Sequence, residues 1–208
     1  MKKIITGLCV AILCATPVFA KTDETIKTTT LTGPYLGIYG GYDWTDLDTH
    51  AAGLDSQPHG WDGGVFAGYK IDGLLDSTQR YGIGGGAAVE AFYGISNSDD
   101  NVAGINVEKE NEWGVSLRPG LSFLDSAAGG SGIAPYGILG YRNTKFTASS
   151  GAIGGSERYD GFELGIGTEL IAMSNAGIRV EYSHVWYGSE GGIDPATDDV
   201  RIGLSMHF

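Results

Sequence analysis

The 208-residue sequence predicts an all-β protein, a closed eight-stranded antiparallel up-and-down transmembrane β-barrel. Three observations predict it. Apolar residues recur at every second position over about eight segments, the connections between them alternate in length, and the face opposite the apolar one is rich in glycine, of which the chain holds 35, with few charges.

Composition narrows the class further. The chain is 42% hydrophobic, and its 25 Asp+Glu against 13 Lys+Arg give a formal charge of -12. A phosphate backbone would meet a surface of its own sign, so no nucleic-acid partner is expected. Enough apolar and aromatic surface is present to offset the entropy of ordering, which excludes a disordered chain.

Residues 1–20 read as a secretory signal peptide. Lys2 and Lys3 precede an apolar run from Ile4 to Ala15, and Val18 and Ala20 stand at the small-residue positions of a cleavage site. The run is too short to cross a bilayer as a helix, and Pro17 interrupts its end. Both cysteines, Cys9 and Cys14, lie in this segment, so the mature chain starting at Lys21 has none. Cleavage removes two of the 13 cations and no acid, which leaves a charge of -14.

Residues 21–33 form a short polar periplasmic lead, and residues 34–208 the barrel domain. The first strand, near 34–45, opens with Pro34-Tyr35-Leu36-Gly37-Ile38-Tyr39-Gly40-Gly41-Tyr42. The second lies near 61–71 and the third near 81–96, each with the same alternation. In the fourth, near 110–124, Trp113, Val115, Leu117, Leu121 and Phe123 share one face, while Glu112, Gly114, Ser116, Arg118, Gly120 and Ser122 share the other. The fifth, sixth and seventh follow near 133–147, 158–171 and 177–187. The eighth, near 199–208, sets Val200, Ile202, Leu204, Met206 and Phe208 against Arg201, Gly203, Ser205 and His207. Long polar loops are predicted near 46–60, 97–109, 148–157 and 188–198, with shorter turns near 72–80, 125–132 and 172–176. An even strand number with long loops at one end is the layout of an outer-membrane barrel.

A soluble exported barrel of lipocalin type has the same alternation turned inside out. The composition of the non-apolar face decides between them: glycine with isolated charges such as Glu90, Arg118, Glu169 and Arg179 suits a narrow lumen better than a water-facing wall. Tyr42, Trp44, Tyr69, Tyr93, Trp113, Tyr141, Tyr182 and Trp186 then fall on the lipid face, many near strand ends, where amphipathic rings meet the membrane–water boundary. Tyr35 and Tyr39 turn inward over glycine-lined space.

The signal peptide, the opening strand and the terminal Arg201-Ile202-Gly203-Leu204-Ser205-Met206-His207-Phe208 resemble the small eight-stranded outer-membrane β-barrel proteins, the group of the OmpA transmembrane domain, OmpX and the opacity-type surface antigens. The resemblance implies an assembly signal in the last strand, carried by Arg201, Gly203, Met206 and Phe208 and read by the outer-membrane barrel assembly machinery. It also implies a luminal charge cluster of Glu90, Arg118, Glu169 and Arg179, with Glu181 on the same side. Buried charges of this kind are tolerable when paired. They make either a structural plug or a switchable gate over a small conductance. Pro119 departs from the pattern and calls for a bulge or a shifted register there.

Some barrels of this size modify lipid A with His, Ser and an acid at the outer end. His184, Ser189 and Glu190 are the candidates here, but the second residue after His184 is Trp186 rather than Ser. Asp46, Asp48, His50, Asp55 and His59, and then Glu190, Asp194, Asp198 and Asp199, lack the spacing of a known metal loop, so no metal and no cofactor is expected. The glycine runs 82–86 and 161–167 precede no helix and are not phosphate cradles. The expected function is non-enzymatic: envelope structure and surface interaction. The expected partners are outer-membrane lipid and lipopolysaccharide, the assembly machinery, and a host or extracellular ligand at the long loops.

Overall fold

The computed structural model describes residues 31–49, 57–74, 83–102, 104–125, 131–150, 153–173, 175–189 and 193–208. The signal peptide and the lead up to residue 30 lie outside them. Eight antiparallel strands close into one barrel in chain order: β1 (Gly33–Thr49), β2 (His59–Asp72), β3 (Ile83–Val102), β4 (Ile105–Asp125), β5 (Ser131–Ser150), β6 (Ile153–Met173), β7 (Ala176–Tyr187) and β8 (Ile193–His207). Closure gives backbone donors and acceptors of the span a partner on the next strand, as hydrocarbon demands.

The register fixes the tilt. The cross-strand row from Leu36 runs through Ala67, Ala91, Val115, Tyr141, Phe162, Trp186 and Ala196 and returns to β1 at Asp46, ten residues above its start. Such a stagger in eight strands tilts them by about 40°.

The apolar face points outward. Ile166, Ile202, Val65, Leu117 and Leu121 are exposed, whereas the largest fully buried side chains include Arg142, Lys109, Glu90 and Glu112. A lipocalin-type interior is therefore excluded. Trp44, Trp61, Trp113, Tyr141, Phe162 and Trp186 face outward toward the extracellular ends of their strands, and Tyr69, Phe123 and Phe208 toward the periplasmic ends. Tyr35 and Tyr39 do point inward, and glycine makes the room: a Cβ at Gly68 would lie 2.5 Å from Tyr35, and one at Gly37 2.2 Å from Phe66.

Two of the predicted long loops are strand. The segments 97–109 and 148–157 carry the β3–β4 and β5–β6 ladders almost to their tips, Val102 pairing with Ile105 and Ser150 with Ile153. β1 likewise reaches Thr49, and β8 begins at Ile193. Polar residues on both faces erase the alternation once a strand leaves the membrane, although the backbone ladder continues. At about 3.3 Å per residue and about 40° of tilt, a 21-residue strand such as β4 or β6 rises roughly 50 Å, about twice the ~25 Å apolar band.

Pro119 causes neither a bulge nor a slip. Leu117 pairs with Leu139 and Gly120 with Tyr136 in one unbroken register, and the proline faces outward, pairing with Ala87 of β3. Its cost is local: the β4–β5 pairing skips positions 118 and 119. The bulges lie elsewhere, at Ile95/Ser98, Lys109/Asn111 and Ile171/Met173.

The end of the lead is not free. Leu31 is buried with Ala134, Ile171 and Leu124 on the opposite wall, and its amide donates to Asp72 at 2.8 Å. The chain thus crosses the periplasmic mouth before β1 begins.

Candidate functional site

Inward-facing positions of all eight strands fill the lumen in layers. The inner ionic layer joins four of the five predicted luminal charges. Arg118 (β4) reaches Glu90 (β3) and Glu181 (β7), each at 2.6 Å; Arg179 (β7) reaches Glu90 at 2.7 Å and Glu181 at 2.9 Å. Tyr35 donates to Glu90 at 2.9 Å and Tyr136 to Glu181 at 2.6 Å, so two phenols complete the carboxylates' shells. Two acids facing two bases leave the layer formally neutral, the arrangement a low-dielectric lumen requires.

Glu169 stands outside this quartet. It faces His207 at 3.0 Å and accepts from Ser205, nearer the periplasmic end. There a cavity of about 40 Å³ is lined by Glu169 and His207, by Arg118 and Arg179 of the quartet, and by Lys70 and Tyr136. That is room for roughly three waters.

A second ionic layer lies toward the outside, unread from the sequence. Lys109 binds Asp43 at 2.6 Å and Glu112 at 2.9 Å; Arg142 binds Glu163 and Asp199; Arg201 binds Glu112, Asp62 at 3.1 Å and Asp199 at 3.3 Å. Asp199, read above as a loop acid, is thus a luminal ligand of two arginines, because β8 starts earlier than expected. Between the layers sit Tyr39, Phe66 and Phe92. Arg179 covers Phe66 at 4.3 Å, and Arg201 covers Tyr39 at 4.5 Å. The void between them is about 10 Å³, no more than one water. Above, Phe146, Tyr159, Val185 and Tyr187 form an apolar cap.

The predicted assembly residues divide by face. Arg201 and Gly203 point inward, Gly203 beneath the Phe66 ring, whereas Met206 and Phe208 point outward. Phe208 is exposed at the periplasmic rim, with its amide donating to Pro34.

On the outer surface, His184 bonds Asp198 at 2.8 Å, Tyr182 donates to the same carboxylate at 2.6 Å, and Trp186 packs 4.3 Å from the imidazole. The neighbouring hydroxyl, Ser183, points into the lumen toward Asp199. Among the described residues no cluster of His, Cys, Asp or Glu is arranged to hold a metal; His50, Asp55 and Glu190 lie outside them.

Beyond the aromatic girdle, β3 to β6 continue as a four-stranded wall. β7 stops pairing with β6 at Gly161, so among the described residues no strand covers that edge of β6 from Ile153 to Arg158.

The family model described as "Outer membrane protein beta-barrel domain" matches residues 6–208. No curated protein matches the chain in sequence. Among solved structures, Neisserial surface protein A is 11% identical and aligns over 83% of this chain and 97% of that one, with a TM-score of 0.54. Ail, the attachment invasion locus protein of Yersinia pestis, is 16% identical over 84% and 99%, TM-score 0.44. The N-terminal β-barrel domain of Pseudomonas aeruginosa OprF is 15% identical over 81% and 97%, TM-score 0.41.

Proposed function

Because the chain belongs to the family of outer membrane protein β-barrel domains and resides in the outer membrane, we propose that it acts there as a plugged, non-enzymatic scaffold holding a four-stranded wall out for surface recognition. One observation carries this reading: β3 to β6 run about twice as far as the membrane requires, and among the described residues no strand covers the β6 edge over Ile153–Arg158. Unpaired backbone groups on an exposed edge are a template for an extended partner segment. The luminal layers support the scaffold half of the reading, since two inward ionic layers and the aromatic rings between them serve rigidity better than passage.

Adherence of cells displaying the protein tests it. Replacing residues 147–156 with a two-residue turn should abolish adherence to host cells or matrix while the boiled and unboiled gel mobilities stay those of a folded barrel. Equal adherence by the trimmed protein would refute a recognition role for the wall. Lipid A should keep its mass on overexpression, and His184→Ala should change nothing, because the neighbouring Ser183 turns into the lumen and the Tyr182 hydroxyl is bound to Asp198 rather than to the imidazole.

The terminal strand is proposed as the assembly signal. Phe208→Ala should lower the yield of folded barrel in cells without affecting refolding in detergent, which separates recognition by the assembly machinery from intrinsic stability.

A further inference from the structure

The outer wall just above the aromatic girdle is polarised. Of the Lys and Arg side chains in the described residues, every one but Arg158 lies in an ion pair: Lys70, Lys109, Arg118, Arg142, Lys145, Arg179 and Arg201 all have a carboxylate within 4 Å. Arg158 faces outward on β6, yet it is held in place. Its guanidinium donates to Asn143 of β5 at 2.7 Å and to Asn111 of β4 at 2.8 Å. Both acceptors are neutral, so the fork is oriented without a carboxylate in direct contact, and Glu110, bound to Lys145, acts on it only from a distance. Asn111 lies two residues above Trp113 and Asn143 two above Tyr141, which sets the guanidinium at the level where lipid head groups begin.

The neighbours are themselves occupied. Lys145 pairs with Glu110 at 2.6 Å, and Thr147 donates to the same carboxylate, which together hold Glu110 below the usual carboxylate range. Asp160 accepts from Asn143 and Tyr141. Below them Trp113, Tyr141 and Phe162 present a continuous apolar surface.

We propose that Arg158, pinned flat across β4 to β6, binds a phosphate of lipid A in the outer leaflet, with the acyl chains lying on Trp113, Tyr141 and Phe162. The proposal rests on the outer-membrane placement and extends it to a specific lipid site. A planar guanidinium held by two neutral amides matches phosphate geometry, and the side chain is exposed on the outer face. Beside it Lys145 is paired with Glu110 and Asp160 is bonded to Asn143 and Tyr141, so at that level the phosphate meets one cation that lies in no ion pair.

The test uses the mature protein refolded in detergent, with deep-rough lipopolysaccharide, the same lipid stripped of phosphate, phosphatidylglycerol and inorganic phosphate as separate probes. Wild type should retain phosphorylated lipopolysaccharide in preference to the other three. Arg158→Gln should weaken that binding roughly tenfold or more, as the loss of a charge-assisted pair implies. The double change Asn111→Ala with Asn143→Ala, which frees the guanidinium without removing it, should weaken binding less. Lys70→Gln, at the opposite end of the barrel, should leave it unaltered. Equal binding of the dephosphorylated lipid, or of phosphatidylglycerol, or undiminished binding by Arg158→Gln, would overturn the proposal. Displacement by inorganic phosphate at the same concentration would also overturn it, in favour of a free-anion site. Gel mobility of each unheated sample reports barrel closure separately, so failure of the lipid site is distinguishable from failure of the membrane fold.

Discussion

Arg179 closes on Glu90 at 2.7 Å across the lumen while its guanidinium lies 4.3 Å from the Phe66 ring, so one side chain ties the inner ionic layer to the aromatic one. Glu90 in turn is shared with Arg118. Removing it leaves two buried arginines facing one carboxylate.

Glu90→Ala should therefore destabilise the barrel by about 3–5 kcal/mol, because an uncompensated buried charge costs more than the pair contributes. Replacing Glu90 and Arg179 together by Leu and Met should cost less than the single change. Urea unfolding in micelles measures both, and equal losses would mean that the pair is not coupled.

Conductance distinguishes plug from gate. With two ionic layers, an aromatic layer and voids no larger than a few waters, folded wild-type protein should be silent in planar bilayers. Reproducible current steps that change when Arg118 is replaced would restore the gated pore.

Glycine tolerance should follow the face. Gly68→Ala puts a Cβ 2.5 Å from the Tyr35 ring and should cost about 1–3 kcal/mol. Gly40→Ala, on the open outer face, should be neutral or stabilising by less than about 1 kcal/mol. Thermal unfolding of the two variants reads the contrast.

Charge on the lipid face should be costly. Ile202 is exposed between Gly40 and Val180, and Ile202→Arg should cost about 2–4 kcal/mol near mid-bilayer. Ser205→Thr, which faces inward beside Glu169, should cost less in the same refolding assay.

The barrel was legible because lipid imposes a strict period of two: Val200 to Phe208 and Trp113 to Phe123 could face only one way. The wall was not, since at Asp99–Val102 and Ile105–Glu108 water lies on both sides and no face must be apolar. The outer ionic layer hid for a related reason. Asp43, Asp62, Arg142, Glu163 and Asp199 share the parity of inward residues on their strands, but the bulge at Lys109/Asn111 takes Lys109 out of that parity in β4, and Arg142 lies beside outward Tyr141. Turning the chain neighbours of each outward ring inward, Tyr42, Tyr141 and Phe162 among them, would have placed Asp43, Arg142 and Glu163 in the lumen. The separation of Glu169 from Glu181 depends on height along the tilted strands, which alternation does not encode.

The orientation of the two faces is the premise of every step, and site-directed spin labels measure it most directly, since residues 21–208 carry no native cysteine. A nitroxide at position 202 should be relaxed by oxygen dissolved in the bilayer and shielded from a water-soluble nickel chelate, whereas one at position 199 should be shielded from both. A label at 202 that responds to the aqueous reagent, with the bilayer-soluble one reaching 199, would show the barrel inside out and contradict the account.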